Sequence, residues 1–178
     1  MSGSEASFDK FSIVLPVEYP LVLLSVSLLC LECWFIGMFI SNYARHSTFT
    51  EQFMDQFKEE HEAAIGKELQ KGGFPDCGEG RYAEKLSYEA WLRYGNFFRA
   101  HNNFVEQLPV LVAFLVFAGL FLPKITMWVG FINVVSRIAY TASYICKGPN
   151  WRVINAFANL CIYGVGLVGF IMAIIKAF

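Results

Sequence analysis

The sequence predicts an all-α integral membrane protein, a four-helix bundle with one sizeable loop outside the bilayer. Three observations carry this. Apolar residues make up 56% of the 178 positions and charged residues 16%, against about 25% charged in a soluble domain. Mean hydropathy is +0.44 even though the stretch 44–90 is strongly polar, so the remainder is apolar enough for lipid. Hydropathy marks four candidate helices against the requirement of about 20 mostly apolar residues for a bilayer core, although in the second only 108–122 is continuously apolar. Together they exclude a disordered chain, a secreted disulfide scaffold and an ordinary soluble enzyme. The net charge of −1 leaves no basic surplus to hold a phosphate backbone, so nucleic acid is not an expected partner. The length fits a single domain over 1–178.

The first span is expected over about 14–43. It is too long for a cleaved leader, carries Glu18 and Glu32, and follows an acidic start. The loop 44–90 is patterned. Phe49, Phe53 and Phe57 recur every four residues, which predicts an amphipathic helix. Thr48 with Glu51 fits a capping box. Gly72, Gly73, Pro75, Gly78 and Gly80 mark a turn region, and Ser87 precedes the helical run into the second span. This loop reads as a folded cap on the membrane surface. The second span is expected over 91–122, the third over 125–144 and the fourth over 151–175. Pro123 and Gly148-Pro149 separate the last three, and these short connections make antiparallel hairpins.

Lys and Arg counts orient the chain. One side holds Lys10, Lys124 and Lys176; the other holds Arg45, Lys58, Lys67, Lys71, Arg81, Lys85, Lys147 and Arg152. The excess places the large loop on the cytoplasmic or matrix side. The host membrane is expected to be endoplasmic reticulum or mitochondrial.

Charged residues within a span are costly and usually face a bundle interior. Here they form stripes. In the second span Arg99, Asn103 and Glu106 fall within about 40° of one another. In the third, Arg137, Tyr140 and Tyr144 share a face, with Asn133 one turn away. In the fourth, Arg152, Asn155, Asn159 and Tyr163 share one, and in the first Glu18, Ser25 and Glu32 do. Three of these stripes converge in the loop-side half of the bundle. They suggest a polar pocket suited to a compact anionic molecule meeting an apolar one dissolved in lipid. A structural polar network, with Arg137 neutralising Glu106 or Glu32 and the Asn residues bonding between helices, is the competing reading. Glu32 is read as structural.

Other chemistry is not signalled. Cys30 and Cys33 lie inside an apolar run and read as small hydrophobes. His101 points about 200° away from Arg99, and no second ligand stands at metal spacing, so no metal is expected. His46 and His61 read as surface residues. Gly164, Gly166 and Gly169 form a small-residue face for close helix packing.

The segment Arg99-Ala-His-Asn-Asn103-Phe-Val-Glu106-Gln-Leu-Pro109 resembles the RAxxNxxE signature of the MAPEG family, the membrane-associated proteins of eicosanoid and glutathione metabolism. Arg137, Tyr140 and Tyr144 resemble that family's second signature. The likeness covers about 14–178, and is greater to the microsomal glutathione transferases than to the five-lipoxygenase-activating protein. Gln107 stands where some synthases have an aromatic residue, and the 47-residue loop is longer than theirs.

The resemblance implies a homotrimer with glutathione, a co-substrate, bound between neighbouring copies near the cytoplasmic face. Arg99, Asn103 and Glu106 would hold its carboxylates and amine, and Tyr140 and Tyr144 would complete the pocket from the adjacent chain. Arg137 would be the buried partner of Glu106. Arg152 would stand against the sulfur as the catalytic residue, lowering the thiol pKa so that the thiolate attacks an electrophile or lipid hydroperoxide from the bilayer. The expected function is therefore a membrane glutathione transferase with peroxidase capacity. The alternatives are an accessory subunit recruited into a larger membrane assembly, such as a mitochondrial respiratory complex, and a non-catalytic lipid-presenting protein.

Overall fold

The computed structural model describes residues 15–177, except for the side chains of 152, 154, 176 and 177. Lys10 and the Lys176 side chain, two of the three cations on the less basic side, lie outside the described residues. Among the described residues four helices are long and apolar enough to cross a membrane: Tyr19–Thr48, Tyr88–Gly119, Pro123–Lys147 and Pro149–Ile175.

The first of these is composite. It runs as α1 (Tyr19–Phe35), a π-helical stretch (Ile36–Ser41) and α2 (Asn42–Thr48). Pro20 sits in the first turn of α1, where its missing N–H is not required. Two short helices, α3 (Glu51–Met54) and α4 (Lys58–Ile65), follow in the loop. Then come α5 (Tyr88–Gly119), α6 (Pro123–Lys147) and α7 (Val153–Ala177), the last preceded by a 3₁₀ turn over Pro149–Arg152. The Ser87 side chain caps α5 by accepting from the Ala90 N–H at 3.3 Å. Pro123 opens α6.

α5 and α6 form the central pair; α1 packs on both from one side and α7 on both from the other. Val22, Val26, Leu29 and Cys33 of α1 meet Phe104, Leu111 and Leu115 of α5 and Ile162 of α7 in one apolar core. Helix association in lipid depends on close packing rather than on water exclusion, and small residues supply it here. A Cβ added at Gly130 would fall 2.2 Å from Ser25 Oγ, at Gly166 2.5 Å from Phe114 Cγ, and at Gly169 2.9 Å from Ala118 Cα. The expected glycine face is thus split. Gly166 and Gly169 are buried in the bundle, whereas Gly164 is exposed and a Cβ there meets nothing. Outward positions such as Leu31, Ile132, Val135, Phe157 and Leu160 are exposed, as befits a surface solvated by lipid tails.

The loop is a folded cap with its own core of Phe49, Met54, Phe57 and Ala83 packed against Tyr94 at the start of α5. Phe49, Phe53 and Phe57 stack in sequence, their centroids 6.0 and 5.8 Å apart, but not along one helix: α2 ends at Thr48 and α3 at Met54. Thr48 is not the cap of α3. That role falls to Thr50, whose hydroxyl accepts from the Phe53 N–H at 3.2 Å, because an extended residue is needed between the two helices.

Two buried charges hold the turn region. Arg45 donates to the carbonyls of Gly72 at 3.3 Å and Asp76 at 2.7 Å and lies 4.2 Å over the Phe74 ring. The Asp76 carboxylate accepts from the N–H groups of Gly78, Gly80 and Ala83 at 2.7, 3.0 and 2.7 Å. Gly73, with φ of +66°, passes so close to Phe49 that a Cβ would fall 2.5 Å from its ring; no other residue type fits both the conformation and the gap. The indole N–H of Trp91 donates to the Gly78 carbonyl at 3.0 Å, tying the cap to α5.

Candidate functional site

Polar side chains of α5, α6 and α7 meet inside the bundle. Asn103 and Gln107 are one turn apart on α5, Asn133 and Arg137 on α6, and Asn155 and Asn159 on α7. Arg137 and Asn133 are fully buried, and Asn155 and Asn159 nearly so. Arg137 donates to Asn103 Oδ1 at 3.1 Å and to Gln107 Oε1. Asn155 is oriented so that its oxygen accepts from Arg137 Nε at 3.0 Å and Nη2 at 3.3 Å, while its nitrogen donates to Ser136 Oγ at 3.0 Å. Asn159 accepts from Asn133 at 2.8 Å and donates to Gln107 Oε1. The guanidinium also lies 4.5 Å over the Phe104 ring and 5.6 Å from that of Tyr140.

The arrangement differs from the sequence expectation in one respect. Arg137 is not the partner of Glu106. Its hydrogen bonds go to carboxamide oxygens, it lies over aromatic faces, and the acid it interacts with is Glu32, the other one expected; Glu106 instead faces Arg99 at 3.6 Å. The helical period explains this. Asn103 and Gln107 point inward, and Arg99 and Glu106 stand at the edge of the same stripe, both more than half exposed. Gln107, noted in the sequence only as a departure from a motif, is a hub of the interior network. Its spacing of four from Asn103 was the available signal, since it also donates to Asn103 at 3.3 Å.

The remaining site candidates divide by depth. Tyr140 is buried, Tyr144 half-buried, and their rings lie 5.4 Å apart along α6. Tyr163 is half-buried and meets Phe114 edge-on at 6.0 Å. Arg152 belongs to the 3₁₀ turn before α7, but its side chain lies outside the described residues. Of the first-span stripe, Glu18 pairs with Lys124 at 3.6 Å near the end remote from the cap, and Ser25 bonds back to the Val22 carbonyl at 2.7 Å. Neither joins the network. No cluster of metal ligands occurs among the described residues. His101 is half-buried and packs against Gly37 in the π-helical stretch.

Chemically the result has two layers. The interior layer holds a guanidinium that bonds to neutral dipoles and π faces and has the Glu32 carboxyl of α1 within electrostatic reach. In a low-dielectric bundle such a charge is weakly screened, so it favours an anion on the adjacent outer face. The outer layer, Arg99 with Glu106, presents one cation and one anion on a helix that otherwise belongs in lipid. A face of that kind needs a polar cover.

A family model described as MAPEG family matches residues 61–172. The match runs from α4 to near the end of α7 and contains every residue of the polar network, with α1 outside it. No solved structure matches the chain.

Proposed function

Because the chain belongs to the MAPEG family, we propose that it is an integral membrane glutathione transferase, with peroxidase capacity toward lipid hydroperoxides. The observation that carries this reading is the buried Arg137 behind Asn103, with Arg99 and Glu106 open on the same helix. That donor set suits glutathione, which brings two carboxylates, an ammonium and two amides. Arg99 would take a carboxylate, Glu106 the ammonium, and Asn103 an amide or carboxylate, while Tyr140 and Tyr144 close the site. Two neighbouring copies in a homotrimer would supply the polar cover that the outer face of α5 requires.

Glutathione would supply a sulfur nucleophile. The chain's own residues would do the rest. Arg137 holds Asn103 and Gln107 in fixed orientations, so the binding face is pre-organised before the ligand arrives. Arg152, in the connection before α7, is the proposed cation beside the sulfur, where it would favour the thiolate form. The apolar outer surface of the bundle lets a lipophilic second substrate approach from the bilayer. The basic loop is proposed to face the cytoplasm or matrix, in an endoplasmic reticulum or mitochondrial membrane.

The test is ultraviolet thiolate absorbance on adding glutathione to the purified protein in mild detergent. Wild type is expected to develop the band saturably. Arg152→Ala is expected to bind glutathione without developing it. Absence of glutathione binding in wild type overturns the proposal.

A further inference from the structure

The cap holds an opening of about 350 Å³ beside the start of α5, with Gly78, Glu79, Glu84, Leu86, Tyr88 and Trp91 in its lining. Two of its walls are aromatic. The Tyr88 and Trp91 rings lie 5.8 Å apart, 34° from parallel. Trp91 is held in place, because its indole N–H donates to the Gly78 carbonyl at 3.0 Å. Even so Trp91 is 41% exposed and Tyr88 74%.

An exposed Trp–Tyr pair on a membrane protein is commonly an anchor in the headgroup layer. The height of this pair argues against that role. A Cβ at Gly148, between α6 and α7, would lie 3.9 Å from Asn96 Nδ2, so the loop-side ends of those two helices are level with Asn96. Trp91 and Tyr88 stand about 8 and 12 Å further along α5, whereas a headgroup layer is only about 5–8 Å deep. The pair therefore reaches into the aqueous phase.

The charge of the opening is uncompensated as well. Glu79 and Glu84 are exposed, and neither forms an ion pair among the described residues. Arg81, Lys85 and Arg93, the cations nearest in sequence, do not line it. Two carboxylates beside two ring faces attract a cation, and ring faces select one that sheds its water readily. A plain lysine ammonium is compact and strongly hydrated. An ammonium carrying methyl groups is less so, and its methyls would pack on the rings and on Leu86.

We propose that the cap carries a binding site for a methylated ammonium group, with Tyr88 and Trp91 supplying the ring faces and Glu79 and Glu84 the countercharge. The site shares no residue with the Arg99–Glu106 face of α5, and it stands or falls independently of the transferase reading.

Trp91 provides the readout. The full chain in a maltoside detergent is titrated with tetramethylammonium chloride and with ammonium chloride at constant ionic strength, and tryptophan emission is followed. Trp91→Phe identifies the contribution of this residue. Tetramethylammonium is expected to shift the Trp91 emission saturably, and ammonium to bind about tenfold more weakly. Tyr88→Leu, Glu79→Gln and Glu84→Gln, all at exposed positions, are each expected to weaken tetramethylammonium about two- to fivefold and to leave the melting temperature unchanged. Choline and a peptide carrying trimethyllysine then separate the sources of the group: tighter binding of the peptide assigns a protein partner, and binding of choline alone assigns a small molecule. An equal response to tetramethylammonium and ammonium, or an affinity unchanged in both Tyr88→Leu and Glu84→Gln, overturns the proposal. So does quenching of Trp91 by phosphatidylcholine brominated near its glycerol end in reconstituted vesicles, which would make the pair a membrane anchor.

Discussion

Arg137 of α6 donates to the carboxamide oxygen of Asn103 on α5 at 3.1 Å, so the two segments that resemble family signatures are joined directly inside one chain. The side chain that faces the interior network is therefore the same one proposed to orient the ligand. Stability and binding are coupled at Asn103, and they separate at its neighbours.

Arg137→Met is expected to destabilise the bundle by about 2–4 kcal/mol, because buried Asn155 and half-buried Asn103 and Gln107 lose their common donor. Arg137→Lys, which keeps a charge but not the fork of donors, is expected to fall between. Thermal unfolding in mild detergent measures both.

Arg99→Ala and Glu106→Gln are expected to behave oppositely to Arg137→Met. Both side chains are more than half exposed and their 3.6 Å pair is loose, so stability should change by no more than about 1 kcal/mol. Glutathione affinity should fall about tenfold or more with the loss of a charge-assisted bond. Calorimetric titration beside a melting curve separates the two effects.

Asp76→Ala removes the acceptor for three backbone N–H groups in the cap. A cost of about 2–4 kcal/mol is expected, confined to the cap, since hydrogen bonds to a charged group are the stronger kind. Limited proteolysis should then cut between 66 and 87 while the fragments carrying the four long helices stay intact.

Gly169→Ala and Gly164→Ala test the division of the glycine face. A methyl at Gly169 meets the backbone of Ala118 at 2.9 Å, and forcing the helices apart should cost about 1–3 kcal/mol. At Gly164 the methyl meets nothing, and the change should be neutral or slightly stabilising. Melting temperatures of the two variants check this.

The spans were legible because lipid imposes length and hydropathy on every crossing helix. Their ends were less so. The second span was expected from near Trp91, but the helix that carries it begins at Tyr88, where Ser87, read in the sequence as preceding the helical run, caps it before the apolar stretch starts. Periodicity placed Asn103, Arg137, Asn155 and Asn159 on inward faces, and they meet. It left open whether those faces would form a pocket or a network, since a helical wheel gives angle but not the rotation of one helix against the next. Arg137 consequently turned from Glu106 to Gln107. The cap was legible as folded, from its glycines and phenylalanines. Its two anchors were not: Arg45 and Asp76 bond to backbone groups, and no residue pattern records a carbonyl.

The π-helical stretch over Ile36–Ser41 accommodates wider turns than the helix on either side of it. Before it, Val22, Val26, Leu29 and Cys33 serve the bundle; after it, Arg45 serves the cap. Deleting one residue there would restore a regular spiral and swing Arg45 by about 100°, away from the carbonyls it anchors. This stretch is therefore length-locked, whereas the coil after Gly66 is free to grow or shrink. Insertions and deletions among related chains are expected to avoid the former and gather in the latter.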